Sequence, residues 1–497
     1  MIFIEIIYLV SVILLATYGI NALILAGIRK WRHQPVLELL TEQDYYWPQV
    51  TVQLPVFNER YVVERLLDSI EQLDYPRERL YIQVLDDSTD NTREIIAQSV
   101  ARLKAKGFDI EYIHRIERIG YKGGALENGL KYAKGEYIAI FDADFIPPPD
   151  FLKGTLLYFE LDDDNNVGCI QTRWGHTNRD YSWLTRTQAN GIDGHFIIEQ
   201  ETRSEKNLFL NFNGTAGVWR KSCILDSGGW QHDTLTEDLD LSYRAQLRGW
   251  KIRYLPHIIT PAELPVHINA LKRQQFRWAK GSIQTARKLL AGLWRSRNPL
   301  TVKIEGTLHL THYLVHPLML LNLVLMLPLL HGESFLLRIY PIFIIGAVGP
   351  LFMYMVAMGG QSNSIIERIK NLAMLVLLGM GLSLNNTRAV TEALIGKQSP
   401  FKRTPKFNLD GRIVGRKYSD YLLPRDGSTW LEILLAIYAF SLLVYALFNG
   451  VWGLLVWLVL YSGGYTYVAG LNILQSLGQI KPEIRSTRQS EPDTLAS

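Results

Sequence analysis

Tyr137-Ile138-Ala139-Ile140-Phe141-Asp142-Ala143-Asp144 is the stretch on which the reading of this chain turns. Its first five residues form a nearly all-apolar run, the pattern of a strand buried on both faces of a parallel sheet. Two carboxylates one residue apart follow at once. The strand therefore delivers Asp142 and Asp144 to its C-terminal end, the edge at which open α/β sheets bind ligands. Acidic groups beside a chain reversal suit a hard divalent cation held through oxygen. A strand-end turn with solvated carboxylates explains an isolated Asp-x-Asp equally well, so the decision falls to the rest of the chain.

Working outward, the pattern from Gln49 to about Pro265 alternates short apolar runs with amphipathic stretches, the signature of strand-helix-strand units around a mostly parallel sheet. Val50 to Leu54 reads as a strand ending in Pro55-Val56-Phe57-Asn58-Glu59, and Arg60 to Gln72 as the helix after it. Tyr81 to Leu85 reads as a second strand, again tipped by acids in Asp86-Asp87. Two such strands at one sheet edge build one site. Gly120-Tyr121-Lys122-Gly123-Gly124 precedes a helix expected over Leu126 to Ala133; a glycine-rich turn there suits a phosphate, with Lys122 as cation, although a plain turn reads the same. Thr236 is the expected N-cap of a helix over Leu239 to Leu247, which puts Glu237 and Asp238 in its first turn; dipole capping explains acids there without any chemistry. Trp174, Trp219 and Trp230 suit a sugar cleft and a packed core equally well.

Composition sets this domain in a larger frame. Of 497 residues, 48% are hydrophobic and only 20% charged, which is richer in apolar residues than most soluble proteins and points to a part in lipid. A net charge of +4, with no basic run interleaved with aromatics, argues against nucleic acid as a partner. Cys169 and Cys223 lie far apart in no metal-ligand pattern, so neither zinc nor a disulfide is implied and the catalytic part is expected on a reducing, cytosolic side. Ile6 to Ile28 carries no charge and exceeds the ~20 residues that cross a bilayer, and Arg29, Lys30, Arg32 and His33 hold the following chain in the cytosol.

Beyond the α/β domain, Leu271 to Trp294 reads as a basic amphipathic helix on the membrane surface, with Gln274, Arg277 and Trp278 at spacings that share a face. Leu308 to Leu330 and Ile339 to Met358 read as membrane spans. His309, His312 and His316 fall on one face of the first; with no obvious fourth metal ligand, a polar path lined by imidazoles fits better than a metal site. Leu372 to Leu384 is too short to cross and reads as an interfacial helix, followed by the basic residues Lys397, Lys402, Arg403, Lys406, Arg412, Arg416, Lys417 and Arg425. Ile433 to Phe448 and Val451 to Leu471 make a last hairpin, for five spans in all. The expected domains are a membrane helix at 1–33, an α/β domain at 49–265, amphipathic helices at 266–300, a membrane hairpin at 305–358, an interfacial helix with a gating-loop-like segment at 366–428, a second hairpin at 429–474 and a polar tail at 475–497, disordered from Lys481 on.

The order Asp86-Asp87, Asp142-Ala143-Asp144, Thr236-Glu237-Asp238 and Gln274-Gln275-Phe276-Arg277-Trp278 resembles the processive, inverting membrane glycosyltransferases of family two, the cellulose, hyaluronan, chitin and mannan synthases. Phe212 to Arg220 and Gly228-Gly229-Trp230 look most like the plant cellulose-synthase-like mannan synthases, and Phe401 to Lys406 is similar to the gating loop of cellulose synthases in Phe401, Thr404, Pro405 and Lys406. The resemblance implies an α/β GT-A (Rossmann-like) cytosolic domain on a transmembrane bundle, in a plasma or inner membrane, or the Golgi of a eukaryote. It implies that Asp87, with Asp86, Glu59 and Pro55, holds the donor nucleoside, that Asp142 and Asp144 bind Mg²⁺ or Mn²⁺, and that Lys122 helps neutralise the phosphates. Asp238, with Glu237, would be the general base, and Arg277 would meet the leaving diphosphate. Gln274 and Trp278, with Asn213, Gly214 and Thr215, would hold the acceptor, and Phe401, Thr404 and Lys406 would cover the donor. The implied reaction moves a sugar from GDP-mannose or UDP-glucose to a growing β-1,4-linked glycan that then crosses the bilayer. Single-sugar transfer to a lipid acceptor is the alternative, and a non-catalytic transporter or scaffold a more distant one.

Overall fold

The computed structural model describes residues 2–30, 47–160, 166–331, 344–360, 364–401, 403–409 and 427–477. The α/β domain is built on one seven-stranded sheet: β1 (Val50–Val56), β2 (Leu80–Asp86), β3 (Asp109–His114), β4 (Tyr137–Ile140), β5 (Val167–His176), β6 (Gly217–Arg220) and β7 (Lys251–Ala262), in the order β3-β2-β1-β4-β6-β5-β7. β1 pairs in parallel with both β2 and β4, so Val56 stands beside Asp86 and Gln53 beside Ile140. The ends of the three strands therefore lie along one edge.

β6 runs antiparallel to β4 and β5, and β5 runs parallel to β7. The start of β6 and the ends of β5 and β7 consequently reach the same edge as the tips of β1, β2 and β4. Side chains alternate across the sheet. Val50, Val52, Leu54, Ile82 and Val84 face helices Val63–Glu71 and Thr92–Ala105, while Ile138, Ile140 and Trp219 face helices Tyr121–Leu130, Lys221–Asp226 and Glu237–Leu247.

Several boundaries differ from expectation. A third parallel strand, Asp109–His114, lies between the two acid-tipped ones in sequence and takes the sheet's edge. The helix expected over Leu126 to Ala133 begins at Tyr121 and ends at Leu130, so Gly123 and Gly124 sit inside it rather than in the turn before it. Thr236 occupies the N-cap position of Glu237–Leu247 without capping it; its hydroxyl lies 3.5 Å from that of Thr285 instead. Trp219 and Trp230 are core aromatics packed edge to face, whereas the half-buried Trp174 faces the cleft described below.

Among the described residues, four helices are long and apolar enough to cross a membrane: Ile2–Lys30, Leu300–His331, Thr429–Phe448 and Trp452–Ser476. The span expected over Ile339 to Met358 appears as helix Ile344–Ala357, and 332–343 lie outside the described residues, as do the tail from Lys481 and the basic positions Lys402, Arg412, Arg416, Lys417 and Arg425. In place of one helix over Leu372 to Leu384 there are two, Ile365–Gly381 and Ser383–Leu394. A 3-10 turn at His312–Leu314 interrupts the second long helix. Its histidines reach inward: His309 Nδ1 meets the Tyr243 hydroxyl at 2.7 Å and His316 Nε2 meets Asn386 at 2.9 Å.

The helix Ile268–Arg295 joins the two parts. Lys272 and Glu432, both shielded from solvent, pair at 2.5 Å between this helix and Thr429–Phe448. Removing one partner of such a pair is far more damaging than replacing both. Glu432→Leu should lower stability by about 3–5 kcal/mol, and the double change Lys272→Met with Glu432→Leu should recover most of it, as read by thermal unfolding in detergent.

Candidate active site

At the edge where six of the strands converge, the chain opens a cleft that gathers all but two of the expected site residues. Their contacts follow from the local fold. The tip of β4 sends Asp142 into the cleft, where its amide donates to Thr215 Oγ1 at 2.8 Å and its carboxylate pairs with Lys122. Lys122 also donates to the Gly214 carbonyl at 2.9 Å. Burial works against charge on Lys122, but Asp142, Glu237 and Asp238 around it outweigh that and raise its pKa. Asp144 meets Lys406 of the gating-like segment at 2.5 Å.

Asp87, on the tip of β2, is gripped by both arms of Arg115, at 2.8 and 2.6 Å. Arg118 lies 3.8 Å from the same carboxylate and stacks 3.5 Å over the Phe57 ring, and burial lowers its pKa to about 10. Glu59 pairs with Arg403 at 2.9 Å, and burial, only partly offset by that arginine, raises its pKa to about 8.

Asp238 differs from these acids in having no ion pair among the described residues. It accepts the Leu239 amide at 2.8 Å, and burial, with Glu237 beside it, raises its pKa to about 7 against the pull of Lys122 and Arg277. Its Oδ2 lies only 2.8 Å from where a Cβ on Gly214 would stand, and Gly214 has a φ of +85°. A side chain there would have to push that carboxylate aside. Opposite, Gln274, Arg277 and Trp278 line the cleft from one face of Ile268–Arg295, and Phe401 stacks on Tyr121 with Arg277 4.5 Å from its ring centroid. The buried Thr404 hydroxyl has no hydrogen-bond partner among the described residues, a condition that costs free energy unless a ligand satisfies it.

The expected residues outside the cleft are Asp86 and Thr215. Asp86 is fully buried on the other side of the strand tip, where it accepts the Ser88 amide and the Tyr112 hydroxyl and pairs with His114. Thr215 acts through Asp142, as described. Sequence reading missed Arg115, Arg118, Arg403 as a partner of Glu59, and Glu263; each is a single charge on a segment with no periodic or motif signal. It also missed His195, on a one-turn π-helix at His195–Gln200, whose Nε2 meets Asn213 Oδ1 at 3.0 Å.

Comparison with known proteins agrees with this geometry. Residues 48–281 match the family model described as "Glycosyltransferase like family 2". The chain is 41% identical over 273 residues, 54% of its length, to glucomannan 4-beta-mannosyltransferase 2 of Arabidopsis thaliana, and 42% identical over 255 residues, 50% of its length, to glucomannan 4-beta-mannosyltransferase 1 of Oryza sativa subsp. japonica. These alignments cover 51% and 49% of the two relatives, so the chain spans about half the length of the curated relatives it matches. Among solved structures, it shares its fold with the mannosyltransferase PcManGT from Pyrobaculum calidifontis, in complex with GDP-Man and Mn²⁺, at a TM-score of 0.52 and 19% identity over 80% of this chain and 100% of that one. The α/β part is thus a GT-A fold.

The two glycine positions give a direct check on the cleft. Gly249 also has a positive φ, +98°, but opens onto free space. Gly249→Ala should therefore cost only the about 1–2 kcal/mol of a left-handed alanine, and Gly214→Ala measurably more, because it also displaces the Asp238 carboxylate. Unfolding of both variants in the same detergent compares them.

Proposed function

We propose that this chain, whose residues 48–281 carry a family-two glycosyltransferase domain, is an inverting membrane mannosyltransferase that moves mannose from GDP-mannose to the end of a β-1,4-linked glycan. The observation that carries the reading is Asp238: a half-buried carboxylate with no ion pair among the described residues, beside Gly214 in a cleft where Glu59, Asp87, Asp142 and Asp144 each pair with a cation. The domain 49–265 would face the cytosol, since Arg29 and Lys30 close the first membrane helix on that side.

A sugar hydroxyl is a weak nucleophile, and a carboxylate positioned to take its proton speeds attack by typically ~10²–10⁴. Asp238 is placed to do so, with Glu237 raising its basicity. Trp278 and Gln274 would hold the acceptor ring, and Asn213 and Gly214 would floor it. Arg277 and Lys122 face the place where the diphosphate gathers charge, so that it departs without a proton donor. Attack from the opposite face inverts the anomeric carbon.

Asp142 and Asp144 fit a divalent cation: in this structure each already takes a lysine ammonium, which marks the position as one that demands positive charge. Among the described residues no three His, Cys, Asp or Glu side chains converge on a metal cage, so the remaining ligands would be phosphate oxygens of the donor. The chemistry a bound Mg²⁺ or Mn²⁺ supplies is neutralisation of the leaving diphosphate.

Membranes containing the protein should incorporate more label from GDP-mannose than from UDP-glucose, into polymer cleaved by a β-1,4-mannanase. A single mannose on lipid would overturn the polymer reading. Because the base must be deprotonated, kcat/KM should rise with pH and level off above about 7, falling about tenfold per unit below it. Asp238→Asn should lower kcat by at least about 10² and remove that limb of the profile.

A further inference from the structure

Among the described residues the gating-like segment pairs with no strand, so its buried backbone donors need acceptors elsewhere. One residue supplies two. Glu263, the first residue past β7 and 2% exposed, accepts the Phe407 amide through Oε1 at 2.8 Å and the Leu409 amide through Oε2 at 3.0 Å. Asn408 between them has a left-handed backbone, with a φ of +61°, and the tight bend it makes lets one carboxylate take both amides. The main-chain carbonyl of Glu263 accepts Lys406 as well, and from that anchored position the ammonium reaches Asp144 at 2.5 Å. Burial raises the pKa of Glu263, whereas Lys406 and the two amides hold it down.

The anchor has a consequence for the carboxylate that Lys406 occupies. A lysine on a free chain end would yield readily to another cation. One whose neighbouring backbone is fixed at two points stays at high local concentration over the same oxygen. Two cations on one carboxylate in a partly dehydrated cleft repel each other strongly. We propose that Glu263 is the positioning residue that docks the gating segment into the donor cleft, and that the docked Lys406 competes with the divalent cation for Asp144. This rests on the reading of Asp142 and Asp144 as the cation site. The nucleotide-free protein would accordingly bind a divalent cation weakly, because Lys406 must leave first.

The test uses the full chain in lipid nanodiscs without nucleotide. A nitroxide is attached to an Asn408→Cys variant, position 408 being exposed and both native cysteines buried. Its mobility is recorded without metal, and Mn²⁺ affinity is measured separately by EPR of free Mn²⁺. Glu263→Gln places an amide N–H against one of the two backbone donors. It should mobilise the nitroxide and tighten Mn²⁺ binding by about tenfold, the size of one lost charge-assisted hydrogen bond. Lys406→Gln should tighten Mn²⁺ binding to a similar degree with the nitroxide still immobile, since the bonds from Phe407 and Leu409 remain. Glu263→Asp, shorter by one methylene, should fall between wild type and Glu263→Gln in both readings. Unchanged mobility and unchanged Mn²⁺ affinity in Glu263→Gln would overturn the proposal. Tight Mn²⁺ binding by Lys406→Gln that survives Asp144→Asn would instead overturn the reading of the cation site, while the nitroxide still judges the docking.

Discussion

A carboxylate taken out of water must meet a cation or several hydrogen-bond donors, or else take up a proton. The cleft depends on how each of its acids resolves that demand. Asp87 is held by Arg115, Asp142 by Lys122, Asp144 by Lys406 and Glu59 by Arg403. Two of them resolve it in part by taking up a proton: Asp238, with its pKa carried to about 7, and Glu59, carried to about 8 despite Arg403. The division of labour follows: the ion pairs at Asp87, Asp142 and Asp144 hold positive charge in place, and Asp238, with no ion pair among the described residues, exchanges a proton near neutral pH.

The sheet makes this division possible. Parallel pairing of β1 with β2 and β4 brings three strand tips to one edge, and the reversed direction of β6 adds the Asn213–Ala216 loop from the other side. Without that reversal Gly214 would start at the far edge, and neither its carbonyl on Lys122 nor its empty Cβ position beside Asp238 would exist. Because β5 and β7 also end at this edge, Trp174 and Glu263 arrive there as well.

Much of this was legible in the sequence, wherever a site residue rides on an element with its own periodic signal. Asp142 and Asp87 follow apolar strands, Asp238 opens a helix, and Gln274, Arg277 and Trp278 share a helical face. Even the misplacement of Asp86 had a readable cause: consecutive residues of a strand point to opposite sides, so Asp86 and Asp87 were never both able to face one cleft. What could not be read are the partners. Arg115, Arg403 and Glu263 are charges on irregular or edge segments, and nothing local distinguishes a charge that meets a residue some 140 positions away, as Glu263 does with Lys406 to Leu409, from one left in water. The first turn of Tyr121–Leu130 misled for the opposite reason: a glycine cluster signals a turn locally, and tertiary packing kept it helical.

The same rule about buried charge governs how the cleft is tied to the membrane helices. Ile268–Arg295 carries Arg277 and Trp278 between two buried lysines, Lys272 paired with Glu432 and Lys280 paired with Glu392 and Ser399. An apolar contact of similar area would tolerate sliding by part of a helical turn, because packing surfaces are forgiving and hydrophobic attraction has no direction. An ammonium sealed from water has no such latitude: a small displacement separates it from its carboxylate partner at a cost of several kcal/mol. The two pairs therefore fix both the rotation and the height of Arg277 relative to the Thr429–Phe448 helix on one side and to Ser399, just before Phe401, on the other. The cleft and the segment that covers it are thereby referred to one rigid element.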